Sequence, residues 1–327
     1  MKQIALILFT FSFLLSVHAQ ETIKIDPEQK STFHLRYESN NELNTNTENQ
    51  PRRIGFGAGS SQPANGVKAV VLNNTGVDLF LNKNYEEAIK YFRQAGELLP
   101  EYVVFQINLA NALVNGKHYD EAVAICRKLI DSDGQDGRIH AIFGDALYEL
   151  GRYSESVSAY QKALELVKQD AIIFNNLGNT LYQLDNNEAA LGAFENALKI
   201  KPDFPDALNN YGVTLGKLKR YKEAVQKFQK AIKQQPDFAK AHNHLGTAYF
   251  ILGKKKQAQK SYLDAVRLNP EWGYARYNLA MSYLDEGKRE EARQCLEILK
   301  KLDTELAQKF QKEFYKNYVI DVSEKLQ

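Results

Sequence analysis

Cysteine occurs only twice in 327 residues, at Cys126 and Cys295, which is too few for a small disulfide framework. An excess of one charge is missing too. The chain has 42 Lys and Arg against 40 Asp and Glu, a formal net charge of +2. That excludes a chain-wide electrostatic footprint for nucleic acid or an anionic membrane. The one compact basic run, Lys254-Lys255-Lys256, reads as a solvated turn. Beyond the first 17 residues no apolar run is long enough to cross a bilayer, which takes roughly 20 residues. There is no Gly-rich phosphate loop in a strand-turn-helix context, no Zn-type Cys cluster and no nucleophile elbow. The Gly55–Gly59 run lacks that context. His242 and His244 form His-x-His, but residues two apart on a helix do not share a face and make poor paired ligands. No catalytic, metal or cofactor site is expected. What remains, 44% hydrophobic and 25% charged residues, is the composition of an ordinary soluble globular protein.

The N-terminus reads as an export signal. Lys2 is followed by a mostly apolar run from Ile4 to Val17, and Val17-His18-Ala19 has the small-residue pattern of a cleavage site. A mature chain starting at Gln20, periplasmic or extracellular, is expected; retention of the run as an anchor is the alternative. Residues 20–66 are rich in Asn, Glu, Ser, Thr, Gln and Gly. Such a stretch buries too little apolar surface to offset its chain entropy, so it reads as a disordered polar segment. Ile23-Lys24-Ile25 and Phe33-His34-Leu35-Arg36-Tyr37 alternate apolar with polar, as a short edge strand or a binding tail does.

From residue 69 the sequence repeats. Gly76, Ala110, Gly144, Gly178, Gly212, Gly246 and Ala280 follow one another at steps of 34 residues. The same step links Ala88, Ala122, Ser156, Ala190, Ala224, Ala258 and Ala292. A larger column runs Leu79, Leu113, Leu147, Leu181, Leu215, Tyr249 and Tyr283, and a fourth runs Phe92, Cys126, Tyr160, Phe194, Phe228, Tyr262 and Leu296. Seven small residues in one column by chance has a probability on the order of 10⁻⁶ at average Gly and Ala usage. Each unit carries two apolar patterns of helical period around a polar turn, as at Asn82-Lys83-Asn84 and Gly151-Arg152. Pro100, Pro202, Pro236 and Pro270 end second helices in the same frame. The small column is expected to face the Ala column, letting the two helix axes approach. One hairpin cannot bury its own apolar face, but a stack of hairpins builds a continuous core.

The unit Asn176-Leu177-Gly178-Asn179-Thr180-Leu181-Tyr182, with Ala190, Phe194, Ala197 and Pro202, resembles the tetratricopeptide repeat. So do Tyr211-Gly212, Leu215, Tyr221, Ala224, Phe228, Ala231 and Pro236. The resemblance runs through seven units, 69–102, 103–136, 137–170, 171–204, 205–238, 239–272 and 273–306. It implies an all-α, right-handed α-solenoid of helix-turn-helix repeats that serves as a protein-interaction scaffold. Gly134, Ser156, Lys168, Leu299 and Thr304 depart from the pattern. After residue 306, Leu306, Phe310, Phe314 and Tyr318 lie at four-residue spacing behind Asp303, a helix N-cap. Residues 307–327 therefore read as a capping helix and tail. About 47 residues before the repeats and about 21 after are too few for a second domain. Five repeats separate the cysteines, a distance too large for a bridge.

The concave wall lined by first helices is the candidate binding surface. Asn74, Asn108, Asn176, Asn210 and Asn278 occupy one position, with Ile142 and His244 in the gaps. Asn175, Asn209 and Asn243, with Asn73, occupy the position before, and Asn111 and Asn179 lie three residues beyond. A primary amide offers two donors and an acceptor, so such a ladder can hold the backbone of an extended peptide. This is similar to the asparagine ladder of peptide-binding tetratricopeptide arrays; the alternative use of the amides is to bond the neighbouring repeat. Phe80, Tyr148, Tyr182, Phe250, Tyr274 and Tyr277 share the wall as aromatic anchors or as inter-repeat packing. Its charge is mixed, with Arg138, Asp145, Glu149, Lys217 and Lys240. The Lys/Asn/Arg set with which some family members clamp a C-terminal carboxylate is not reproduced. The expected partner is a protein or extended peptide, with no nucleic acid and no cofactor. Two rivals are occupation of the groove by the 20–66 tail or the C-terminal helix, and stacking of the aromatics on a glycan.

Overall fold

The computed structural model describes Pro51 and residues 64–325, the last ten of them by backbone alone. The expected signal, the polar segment up to residue 63 apart from Pro51, and the Tyr318 side chain lie outside the described residues. Fifteen helices and no strand occur among the described residues, in two compact units, 64–202 and 203–325. The first unit holds α1 (Ala64–Leu81), α2 (Tyr85–Leu98), α3 (Val103–Asn115), α4 (Tyr119–Asp133), α5 (Gly137–Glu149), α6 (Tyr153–Leu166), α7 (Ala171–Gln183) and α8 (Asn187–Ile200). The second holds α9 (Pro205–Lys217), α10 (Tyr221–Gln234), α11 (Ala239–Ile251), α12 (Lys255–Leu268), α13 (Gly273–Asp285), α14 (Arg289–Leu302) and α15 (Thr304–Lys325). Odd and even helices up to α14 pair as hairpins, and within each unit each first helix also packs on the next first helix. The fold is an all-α repeat solenoid.

Two boundaries differ from expectation. The first helix begins at Ala64, inside the segment read as polar and irregular, and the last begins at Thr304, inside the seventh 34-residue frame. Asp303 does cap that helix: its Oδ1 accepts from the Leu306 amide at 2.9 Å. Leu306, Phe310 and Phe314 are buried with Tyr277, Leu296 and Leu299, so α15 covers the apolar end of the seventh hairpin. Asp170 caps α7 in the same way, accepting from the Ile172 and Ile173 amides.

The hairpin turn is fixed by one left-handed residue per repeat. Lys83, Lys117, Asp185 and Lys219 have φ between 60° and 66°, and Gly151, Gly253 and Gly287 stand in the same column at 71–73°. The next residue donates its amide to a carbonyl five residues back, as from Asn186 to Leu181 (2.9 Å) and from Arg220 to Leu215 (2.8 Å). That bond satisfies an end-of-helix carbonyl and reverses the chain.

The small column meets the Ala column where Ser156 donates to the Gly144 carbonyl, and it has a second, unexpected role. It seats the aromatic ring sixteen residues on. A Cβ at Gly178 would lie 2.6 Å from Phe194 Cε1, and at Gly144, Gly212 and Gly246 it would meet Tyr160, Phe228 and Tyr262 at 2.6–2.7 Å. Where the ring is absent the glycine is absent too: Ala110 is paired with Cys126, and Ala280 with Leu296. Ring and Cβ exclude each other because interiors are packed to crystal density. The Ala column is fully buried at every repeat, and the departing Ser156 is accommodated by donating to the Gly144 carbonyl at 2.8 Å. Both cysteines are free and buried, as expected.

Candidate functional site

The first helices bring the Asn residues together, but mostly not at the surface. Asn108, Asn111, Asn175, Asn176, Asn209, Asn243 and Asn278 are buried. Asn108 Nδ2 donates to Asn73 Oδ1 at 2.7 Å, and Asn278 Nδ2 to Asn243 Oδ1 at 3.0 Å. Each bond crosses from one repeat to the next. His244 fills its gap in the ladder in kind: Nδ1 stands 2.8 Å from Asn209 Oδ1. Burial, with Lys240 adding to it, holds the His244 pKa down at about 3, so the imidazole stays neutral and donates. Between the second and third repeats the same joint is apolar, with Ile107 and Ile142 buried. The expectation of a row of exposed amides is thus corrected. Buried amides must be hydrogen-bonded, and at these junctions the neighbouring repeat supplies the bond. Asn74, Asn179 and Asn210 remain half-buried.

The junction of the third and fourth repeats has different chemistry. Asp145, expected in an open groove, is buried. Tyr160 donates its hydroxyl to Asp145 Oδ1 at 2.5 Å, and Asn176 donates Nδ2 at 3.0 Å. Burial pushes the Asp145 carboxyl up to about 7; the two donors oppose that rise, and Glu149 and Asp170 add to it. Sequence reasoning missed this triad, since an Asp at a variable helix position carries no signal of its partners.

The aromatics divide. Tyr148 and Tyr277 are buried, which corrects their placement as exposed anchors. Tyr148 packs on Tyr153 and accepts from Gln183 Nε2 at 3.3 Å. Tyr277 meets the edge of Phe310 from the capping helix, because the end of a stack needs an aromatic seal. Phe80, Tyr182, Phe250 and Tyr274 stay half-exposed. Phe80, Tyr182 and Phe250 stand in one column of the 34-residue frame. Beside Phe80, Leu81 is 47% exposed. His242 of the His-x-His pair is bonded to the Pro236 carbonyl, so its partner, like that of His244, is the chain itself. No helix among the described residues is long and apolar enough to cross a membrane.

Stacked hairpins joined through buried repeat junctions are those of a helical-repeat scaffold for protein–protein interaction. Tetratricopeptide-repeat models match residues 79–142, 144–185, 175–237, 239–272 and 274–304. The chain belongs to the tetratricopeptide-repeat family. Among solved structures it is similar to pilF of Pseudomonas aeruginosa, with 21% identity, 65% of this chain and 97% of that chain covered, and a TM-score of 0.57. It is also similar to the Cut9–Hcn1 hetero-tetramer of the APC/C, with 17% identity, 78% and 57% covered, and a TM-score of 0.58. A third similar structure is YrrB, described as a TPR protein with an unusual peptide-binding site, with 23% identity, 56% and 95% covered, and a TM-score of 0.47. At these identities the likeness is one of fold.

Proposed function

We propose that this protein is an exported adaptor that holds a partner polypeptide along its first helices. The observation that carries the reading is the column of half-exposed aromatics, Phe80, Tyr182 and Phe250, with Tyr274 on the first helix after Phe250. Aromatic rings held open by a rigid scaffold gain contact area at small entropic cost, which makes them favoured binding anchors. Asn74, Asn179 and Asn210 keep polar groups near that surface, while the buried amides fix the spacing of the helices that carry it. Export rests on the Lys2–Ala19 signal pattern.

A photo-cross-linking residue placed at Tyr182 or Phe250, in the full-length protein expressed in its native cell, tests both parts. The expected result is a cross-linked polypeptide from these positions and none from Gln161, an exposed residue on a second helix. Equal labelling from all three sites overturns the first-helix assignment. N-terminal sequencing of the same material is expected to read from Gln20; a chain still beginning at Met1 in the cytosol removes the export reading.

A further inference from the structure

Charge is not spread evenly along this chain. Residues 217–267 hold thirteen Lys and Arg against three Asp and Glu, although the whole protein has a net charge of only +2. Six of these charges fall on arcs of two second helices. Lys222, Lys230 and Lys233 fall within one arc of α10, and Lys256, Lys260 and Arg267 within one arc of α12. All five lysines are exposed, and none is ion-paired among the described residues.

Between these two second helices lies a cleft of about 360 Å³. Gln229 and Ile232 form one wall, Lys260 and Ser261 the other, and Leu245 and Tyr249 of α11 line it between them. Ile232, Leu245 and Tyr249 thus give the cleft apolar surface within a single unit, with Lys260 at its wall and the Arg267-paired Asp264 beside it. The start of α12 adds a second sign that folding alone does not account for. Every other second helix carries an acid in its first turn, whereas α12 begins Lys255-Lys256 with none. Lys255 is paired with Asp285 at 2.8 Å, which leaves Lys256 as the cation that opposes the helix dipole with no ion partner among the described residues.

We propose that this second-helix face of the fifth and sixth repeats docks an acidic polypeptide segment of a partner, its apolar side chains in the cleft and its carboxylates on the lysines. The chemistry selects polypeptide over nucleic acid. The two arginines of the face are tied up, Arg220 by Glu223 and Arg267 by Asp264, so no free guanidinium fork awaits a phosphate. The rings of the two hairpins, Phe228 and Tyr262, are buried under their glycines, and Lys254 stands over the Tyr249 ring at 5.7 Å, so these rings offer no open stacking platform beside the lysines. The site uses Leu245 and Tyr249 of α11 and none of the aromatics or amides assigned to the first-helix surface, so its failure leaves that reading untouched.

The test uses the full chain and a fluorescent 20-residue helical peptide, with Leu along one face and Glu on both flanks. The test variant is Lys222→Glu, Lys230→Glu, Lys233→Glu, Lys256→Glu and Lys260→Glu together. The control reverses the same number of exposed lysines elsewhere: Lys68→Glu, Lys128→Glu, Lys168→Glu, Lys301→Glu and Lys312→Glu. Anisotropy at physiological salt is expected to show binding by the wild type and the control, and at least tenfold weaker binding by the test variant at equal helicity. Lys230→Gln with Lys233→Gln and Lys260→Gln, a milder change, is expected to weaken binding at least threefold, and serves if the reversal fails to fold. Binding unchanged in both variants overturns the proposal. So does equal affinity for a scrambled peptide, tighter binding of a single-stranded oligonucleotide of the same charge, or a patch-dependent self-association seen by sedimentation.

Discussion

Replacing Gly178 by alanine puts two opposed effects on one atom. In a helix interior alanine is favoured over glycine by about 1 kcal/mol. At Gly178 the new Cβ lies 2.6 Å from Phe194 Cε1, whereas carbon atoms rest at about 3.5–4.0 Å. The ring must retreat by roughly 1 Å, and Phe194 is fully buried with no slack around it. Overpacking of this kind costs about 1–3 kcal/mol. A displacement this large in a rigid ring belongs at the upper end, so Gly178→Ala is expected to destabilise by about 1–2 kcal/mol net. Gly192, on the exposed side of α8, has nothing within 4 Å of its would-be Cβ. Gly192→Ala is therefore expected to stabilise by about 0.5–1 kcal/mol. Phe194→Leu alone leaves a void, but in the double variant with Gly178→Ala the new methyl fills part of it. The seventh repeat already uses that pairing, Ala280 with Leu296. The two single costs should then fail to add by about 1–2 kcal/mol. Urea unfolding followed by circular dichroism, with amide exchange in α7 to localise the change, reads all four proteins. If Gly178→Ala stabilises as Gly192→Ala does, or if the double variant is additive, the glycine is not a seat for the ring and the reasoning fails.

Other expectations follow from the same geometry. Lys117→Gly and Lys219→Gly, at φ of 66° and 60°, relieve left-handed strain and should each raise the unfolding midpoint, by about 0.5–1 kcal/mol; a loss in both contradicts the turn assignment. Asn108→Ala leaves the Asn73 carbonyl buried without its donor and should cost about 1–3 kcal/mol, read as faster amide exchange in α1 and α3. Asp145 has a folded-state pKa of about 7, above its ordinary 3.8. Its contribution is therefore complete below about pH 4 and falls away as pH rises through about 7, by up to about 4 kcal/mol for a shift of this size. Asp145→Asn, which keeps an acceptor for Tyr160, should remove that slope and make the protein more stable than wild type at pH 8, with little difference at pH 4; equal pH profiles would refute the assignment.

The period, the number of repeats and the places where helices stop were legible in the sequence. A 34-residue step in four columns records a geometric repeat, and a stack in which each unit meets only its neighbours has few ways to satisfy such a pattern. The unpaired cysteines were legible too, since four hairpins stand between Cys126 and Cys295. The Asp303 cap was legible as well, because capping is a local bond within one turn. Which of several equivalent faces meets which is settled by packing alone. Gly178 was legible as a close approach, but that its missing Cβ seats the Phe194 ring sixteen residues on was not. The amides were legible as a ladder, yet the same spacing that aligns Asn73 with Asn108 buries both between repeats. Tyr148 and Tyr182 occupy one column of the pattern, and only packing separates the buried ring from the half-open one. Ile232, Leu245 and Lys260 look scattered along the chain and line one cleft only because α10, α11 and α12 pack together. Periodicity fixes spacing along one helix, whereas burial and charge at a surface are set by pairs of helices, and those pairs come from three-dimensional packing.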